Sequence, residues 1–176
     1  IRLAGGFRTE ISHRTMIGQI ALKGINNKDE AIRAISEAEA KIISIANNAH
    51  PSIVKRGGGA RSIDVRWLEA DAEYGTPAFL VVHLHVETLE AMGANMINTM
   101  AEAVKPFLEE ITEANALMGI LSNYATECLA TARCKVPITI LERRGMSGTE
   151  VRDKIIEANQ FAIADPYRAT TNNKGI

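Results

Sequence analysis

The most constraining feature of the sequence is a hydrophobic pattern that switches twice from a strand period to a helix period and back. Residues 16–25 (MIGQIALKGI) alternate loosely and are rich in isoleucine, which predicts a strand that ends near Gly24. From Lys28, apolar residues recur every three or four positions, which predicts one long amphipathic helix that Pro51 ends near His50. Such a chain has to pack helices against a sheet.

The same switch then repeats further along the chain. Two strands, a helix and a fourth strand are predicted at residues 62–68, 79–86, 91–114 and 117–122. Pro106 is expected to bend or break that helix. The resulting order β-α-β-β-α-β is the split arrangement of a ferredoxin-like domain, in which one antiparallel sheet carries two helices on one face.

The remaining residues do not complete a second domain. The pattern predicts a helix over residues 124–133, a short apolar run over 136–141, a helix over 149–164 capped by Thr149, and a polar loop over 169–176. The chain opens at Ile1 and has no closing element, so we expect it to be part of a longer polypeptide.

Composition excludes several classes of protein. With 46% hydrophobic and 23% charged residues the chain is typical of a soluble globular protein. Its 20 Lys and Arg nearly balance its 21 Asp and Glu, so no overall field favours nucleic acid or an anionic membrane. No apolar run approaches the roughly 18–20 residues of a membrane span. The two cysteines, Cys128 and Cys134, are expected to be free thiols, which favours a cytoplasmic location.

Residues 90–95 (EAMGAN) lie at the predicted junction of a strand and a long helix. Small residues there would let a ligand approach the free N–H groups and the positive end of the helix dipole, which suit a pyrophosphate. The alternative is a helix start whose small residues serve only close packing. The segment is not a GxGxxG fingerprint, which excludes a Rossmann domain.

A triple glycine at residues 57–59 is flanked by Lys55, Arg56 and Arg61. Its backbone N–H groups could form an anion-binding nest, or the glycines could be a flexible turn between helix and strand. No Asp or Glu occurs across residues 42–63, so the region is locally basic.

Two further features also have a functional and a structural explanation. His83 and His85 lie on one face of a strand, where two imidazoles could bind a metal, but hydrogen-bonded histidines are the favoured interpretation and we expect no metal. Lys174 lies among uncharged amides and hydroxyls, where an ammonium could stabilise a carbonyl oxygen that becomes negative, or it could be an ordinary surface lysine.

Four segments together resemble class II 3-hydroxy-3-methylglutaryl-coenzyme A (HMG-CoA) reductases. They occur in the order and spacing of that family and are RGGG from Arg56, EAMGANMINTMAEAV from Glu90, ILSN ending at Asn123, and DPYR with NKG from Asp165 to Gly175. The resemblance extends over nearly the whole chain.

The resemblance implies an α+β fold in which a ferredoxin-like cofactor domain is inserted in a larger, mainly helical or mixed domain. Residues 14–122 would be the small domain that binds NAD(P), and residues 1–13 and 123–176 would be segments of the large domain, the second ending in a catalytic-lysine loop. Members of the family are homodimers or higher homo-oligomers with shared active sites.

The implied activity is interconversion of HMG-CoA with mevalonate and coenzyme A by two hydride transfers. Lys174 matches the catalytic lysine, Asn123 an active-site amide, and Arg168 the residue that binds the substrate carboxylate. The residues that match the dinucleotide-binding segment are Glu90, Met92, Gly93 and Asn95.

Other catalytic groups of the family, a Glu upstream and an Asp and a His downstream, lie outside this sequence. Asn172 stands where the family usually has His before Asn-Lys-Gly. The competing interpretation is a ferredoxin-like ligand-binding or regulatory module without catalysis.

The expected cofactor is NADPH, with NADH possible. NAD-preferring members carry an acidic residue seven positions before the triple glycine, and in this chain that position is His50. Without a carboxylate, and with Lys55 and Arg56 nearby, the usual electrostatic exclusion of the 2′-phosphate is missing.

Overall fold

The computed structural model describes residues 1–174, which divide into two compact units. The first unit is Ile11–Ala130, and the second combines Ile1–Glu10 with the residues from Thr131 on. Within the described residues, no helix is both long and apolar enough to cross a membrane.

The strands are β1 Arg8–Ile11, β2 Thr15–Lys23, β3 Gly59–Leu68, β4 Phe79–Glu87, β5 Asn115–Ser122 and β6 Ala130–Arg133. The helices are α1 Lys28–Glu37, α2 Glu39–Ala49, α3 Pro51–Lys55, α4 Ala94–Thr112, α5 Gly148–Ala164 and α6 Pro166–Lys174.

The unit Ile11–Ala130 is built on a four-stranded sheet. Its strand order is β3-β4-β2-β5, and every neighbouring pair is antiparallel. A mixed α and β fold with antiparallel sheets was predicted from the pattern of hydrophobic periods, and it is confirmed.

The core lies between one face of this sheet and the helices. Alternate residues of β2 and β4 turn toward the helices, because successive side chains of a strand point to opposite faces. Fully buried members of the core are Ile20, Leu22, Leu80, Val82, Leu84 and Val86 from the strands and Ile35, Ile42, Ile53, Ile97, Met100 and Leu108 from the helices. The opposite face of β2 and β4 carries Gln19, His83 and His85.

The single helix predicted after Lys28 is in fact three helices. Asn27 caps the start of α1, and its side chain accepts a hydrogen bond from the Glu30 N–H at 3.2 Å. The helix ends at Ala38, whose φ of −91° and ψ of 4° are not helical. His50 separates α2 from α3, which begins at Pro51 because proline is tolerated in a first turn. The predicted bend at Pro106 does not interrupt α4, which continues as one helix of 19 residues.

The helix predicted over residues 124–133 is wrong. Residues 130–133 form β6, which pairs with β1, and Leu129 exchanges hydrogen bonds with Ser12, whose N–H donates to the Leu129 carbonyl at 2.9 Å. Partners more than a hundred positions away therefore override the local helical pattern. Residues 138–140 of the predicted apolar run form a short 3₁₀ helix.

Two helices fill most of the rest of the second unit. Ser147, not Thr149, caps α5 in a capping box with Glu150. The loop predicted over residues 169–176 is wrong where it is described, because Ala169–Lys174 belong to α6; Gly175 and Ile176 lie outside the described residues. Asp165 starts this helix, accepting from the N–H of Arg168 at 3.2 Å, with Pro166 as the first helical residue.

Candidate functional site

Several of the predicted site segments meet at one edge of the four-stranded sheet, which we call the site edge. Glu87, the last residue of β4, pairs with Thr15 at the start of β2 and with Gly59 at the start of β3. Ser122, the last residue of β5, pairs with Ile17. The triple glycine, the turn before α4 and Asn123 therefore emerge from the same edge.

The turn from β4 to α4 is held in an unusual backbone conformation. Leu89 has φ 55° and Gly93, the N-cap of α4, has φ 87°, so both are left-handed. The N–H of Thr88 donates to the carbonyl oxygen of Arg14 at 3.2 Å, which fixes the turn to the start of β2. No side chain caps α4, so its first N–H groups and its positive dipole end remain available to an anion.

The side chains predicted to contact a dinucleotide surround this helix start and are exposed. Met92 is 78% exposed, and Asn95 lies exposed in the first turn of α4. The Glu90 carboxylate forms an ion pair with the Arg14 guanidinium, so the one acid of the turn is neutralised by a neighbour. Glu90, Met92, Gly93 and Asn95 are therefore brought together around one free helix N-terminus.

The triple glycine has a structural role that requires glycine. Gly57 and Gly59 have φ 90° and 104°, and a Cβ on Gly58 would lie 2.7 Å from the carbonyl oxygen of Glu87. The loop must pass this close because its backbone joins the end of β4. The guanidinium of Arg61 is bonded to the Gly57 carbonyl, and Arg56 Nε donates to the Ser52 carbonyl at 3.4 Å. The glycines thus build the site edge.

His50 lies half-buried between α2 and α3. Its Nδ1 is 3.2 Å from the Ser52 hydroxyl. Three residues earlier, Asn47 bonds both backbone groups of Ala60, accepting from its N–H at 2.8 Å and donating to its carbonyl at 3.2 Å. This pair ties the end of α2 to the start of β3 and so brings His50 to the triple-glycine side of the site edge.

Asn123 is exposed and follows directly on β5. The next residue, Tyr124, donates its N–H to the Ser122 hydroxyl at 3.2 Å, which turns the chain away from the sheet. The amide side chain of Asn123 is thus presented at the end of a strand rather than within it.

His83 and His85 are 8% and 9% exposed and lie in a hydrogen-bonded cluster. His83 contacts Gln19 at 3.0 Å between their Nε2 atoms, and its Nδ1 lies 3.4 Å from Asp64. Burial lowers the pKa of His83, against the opposing effect of Asp64. Among the residues that the structure describes, no group of three or more His, Cys, Asp or Glu side chains is arranged to bind a metal ion.

Arg168 and Lys174 lie in the second unit, both on α6. Lys174 is the exposed last residue of that helix rather than part of a loop. Arg168 is half-buried, and its Nε donates to the Asn172 side chain at 3.1 Å. Asn172, which departs from the family pattern, thus bonds the arginine predicted to hold a carboxylate.

Two residues that organise the site edge did not stand out in the sequence. Arg14 forms an ion pair with Glu90, which is 76 positions away, and Asn47 bonds Ala60, which is 13 positions away. Asp165 was noted only as part of the DPYR segment, but the Asp-Pro pair is also a local signal for the helix start that it caps.

Known proteins that resemble this chain belong to one family. The family model described as hydroxymethylglutaryl-coenzyme A reductase matches residues 1–176. A 3-hydroxy-3-methylglutaryl-coenzyme A reductase from Archaeoglobus fulgidus is 39% identical over 175 residues, which are 99% of this chain and 38% of that protein. A probable reductase of the same name from Borreliella burgdorferi is 31% identical over 69% of this chain and 27% of its own length.

The fold is also similar to solved structures. The class II 3-hydroxy-3-methylglutaryl-CoA reductase of Streptococcus pneumoniae, bound to NADPH in open conformations, matches with a TM-score of 0.92 and 52% identity, covering 99% of this chain and 46% of that one. The chain thus spans less than half the length of these relatives. The match over its whole length means that the chain belongs to the hydroxymethylglutaryl-coenzyme A reductase family.

Proposed function

We propose that the complete protein is an oxidoreductase that converts HMG-CoA to mevalonate and coenzyme A, or catalyses the reverse, by two successive hydride transfers with NADPH. Family membership over the whole chain supports the reaction. The observation that carries the cofactor half of the proposal is the uncapped start of α4 at the site edge, beside the basic triple-glycine loop.

In its finer details, the proposed architecture is a ferredoxin-like small domain of residues 14–122 inserted in a large domain that includes residues 1–13 and 123–176. The strand order β3-β4-β2-β5 with helices on one face supports the ferredoxin-like assignment. Many exposed apolar side chains in the second unit, such as those of Leu3, Phe161 and Ile163, support its being a segment of something larger. We also propose a homodimer or higher homo-oligomer in the cytoplasm; the free Cys128 and Cys134 fit a reducing compartment.

The residues at the site edge fit a dinucleotide. Gly93 lets a pyrophosphate approach the first N–H groups of α4, since it has no Cβ, and the Arg14 guanidinium offsets the charge of Glu90 that would repel phosphate. Lys55 and Arg56 add positive charge near His50, where the family match suggests the adenosine ribose binds. The cofactor would supply the hydride.

The other proposed roles belong to Asn123, Arg168 and Lys174. The Lys174 ammonium would stabilise the oxyanion that develops when hydride reaches the thioester carbon and again at the aldehyde. The Arg168 guanidinium would bind the free carboxylate of the substrate in a bidentate manner. The Asn123 amide would hydrogen-bond the nicotinamide.

The experiment is a spectrophotometric assay of the purified full-length enzyme. We expect NADPH oxidation that depends on HMG-CoA, releases a free thiol and yields mevalonate. A coenzyme A thioester of similar size without the free carboxylate serves as the control and should react far more slowly. Absence of any HMG-CoA-dependent oxidation or mevalonate-dependent reduction would refute the proposed function.

A further inference from the structure

The segment of residues 123–129, between β5 and β6, contains no helix or strand and is held at both ends. We call it the Asn123 segment. Its start continues β5, and its end is bonded to Ser12, whose hydroxyl accepts from the Leu129 N–H at 2.9 Å and donates to the Glu127 carbonyl at 3.3 Å. The Glu127 side chain turns back to the sheet, where its Oε2 lies 3.2 Å from Nδ1 of His85.

His85 is bonded by carboxylates on both sides. Its Nδ1 faces Glu127 and its Nε2 is bonded to Asp64 of β3. The ring therefore bridges β3 and the Asn123 segment, with one carboxylate at each ring nitrogen. The imidazole side chain is 11% exposed, which shields both contacts from solvent.

The neighbouring histidine does not contact the Asn123 segment. Nε2 of His83 lies 3.0 Å from Nε2 of Gln19 on β2, and its Nδ1 lies 3.4 Å from Asp64. The charged and titratable groups lining the cavity of about 260 Å³ around the two rings are Asp64, Arg66, Tyr124 and Glu127. Among the two histidines, only His85 reaches Glu127.

We propose that His85 is a positioning residue that holds the Asn123 segment against the sheet, through contacts of its two ring nitrogens with Asp64 and Glu127. The inference rests on the proposed function in one respect, the role of Asn123 in the active site. His83 does not take part in this hold.

The first test does not depend on activity. Backbone amide hydrogen exchange over residues 123–129 is compared in the full-length wild-type enzyme, H85Q and H83Q. We expect faster exchange of this segment in H85Q and little change in H83Q, because only His85 contacts Glu127. Unchanged exchange of the segment in H85Q would overturn the proposal even if the enzyme reduces HMG-CoA.

The second test is kinetic and compares H85Q with H83Q, a matched variant on the same strand with nearly equal burial. H85Q should lower kcat about tenfold while the KM for NADPH changes less than about twofold, because the start of α4 is held by other contacts. Equal effects of H83Q and H85Q would overturn the proposal.

Glu127→Ala tests the same contact from the exposed loop and leaves the buried rings in place, so it covers the case in which H85Q fails to fold. It should reproduce the fall in kcat. Unaltered kcat in this variant would contradict the proposal. An inactive wild-type enzyme would instead refute the proposed function, and hydrogen exchange would still decide whether His85 holds the Asn123 segment.

Discussion

Gly93 and Thr88 lie so close that a Cβ on Gly93 would be 2.6 Å from Cγ2 of Thr88. Thr88 is 3% exposed and is held by Arg14, whose carbonyl oxygen accepts from both its N–H and its hydroxyl, at 3.2 and 3.3 Å. The threonine cannot move aside without breaking these bonds. Gly93 also has φ 87°, so its position demands glycine for backbone and contact reasons alike.

Gly93→Ala should therefore both destabilise the protein and weaken NADPH binding. The left-handed backbone and the clash together cost roughly 1–3 kcal/mol, and relief of the clash has to move the first turn of α4. Thermal unfolding and a fluorescence titration with NADPH measure the two effects. Gly75→Ala is the matched control, because Gly75 also has positive φ, 66°, but has nothing within 4 Å of its Cβ position. Equal losses in both variants would show that the Thr88 contact is unimportant.

The site edge shows which features of the molecule a sequence can reveal. The segment from Glu90 to Asn95 was recognisable because the hydrophobic period changes there, and the strand at residues 62–68 because its apolar residues alternate. The contacts that complete the edge join distant positions, such as Arg14 with Glu90. Local periodicity carries no information about such contacts.

The second unit was predicted less well for a related reason. β6 exists because it pairs with β1 across most of the chain, and its own four residues, ATAR, favour no strand. Residues 169–174 of α6 have the pattern of a loop because they form no apolar stripe, although Asp165 and Pro166 are good signals for a helix start. Both errors arise where tertiary contacts or caps outweigh hydrophobic patterning.

Lys174→Ala in the complete enzyme should abolish reduction and leave NADPH binding nearly unchanged. Loss of an oxyanion-stabilising group costs about 3–4 kcal/mol, or 10²–10³-fold in kcat. Single-turnover kinetics and a binding titration separate the two effects. Lys154→Ala, an exposed lysine of α5, is the control and should retain activity. Normal turnover in the Lys174 variant would remove this residue from the mechanism.

Arg168→Lys should chiefly raise the KM for HMG-CoA. Lysine keeps the charge but cannot make a bidentate bond to a carboxylate, and it also loses the Nε bond to Asn172 at 3.1 Å. Initial rates over a range of HMG-CoA concentrations give KM and kcat separately. Asn172→Ala removes only the second bond and should have the smaller effect. If both constants of the Arg168 variant match the wild type, the arginine does not bind the substrate.

Glu102 should make the stability of the unit Ile11–Ala130 depend on pH in the acid range. Its carboxylate accepts hydrogen bonds from Lys105 Nζ at 3.0 Å and from the Gly119 N–H at 2.9 Å. Both bonds lower the pKa of Glu102 below its ordinary value of 4.5, and the bond from Lys105 has the larger effect. A lowered pKa in the folded state adds stability above the unfolded value, and this stability is lost as pH falls through the folded value. Because the group is exposed, the effect is small. Glu102→Gln should therefore flatten the fall in Tm below about pH 4.5. Glu110 is the matched control, because its carboxylate has no hydrogen bond or ion pair among the described residues. Glu110→Gln should leave the fall in Tm unchanged.

The last prediction concerns the choice between NADPH and NADH. The family resemblance predicts that His50 takes the position of the acid found in NAD-preferring members. Its Nδ1 lies 3.2 Å from the Ser52 hydroxyl, and the cationic Lys55 and Arg56 follow in the sequence. No carboxylate of residues 42–63 is available to repel a 2′-phosphate, so NADPH should be preferred. Comparing kcat/KM for NADPH and NADH tests this preference, and a tenfold preference for NADH, about 1.4 kcal/mol, would contradict the prediction.

His50→Asp should shift the ratio of the two kcat/KM values toward NADH, because a carboxylate at this position repels the 2′-phosphate. His50→Asn, which is similar in size but uncharged, should shift that ratio much less. Equal shifts in the two variants would assign the effect to loss of the imidazole rather than to charge.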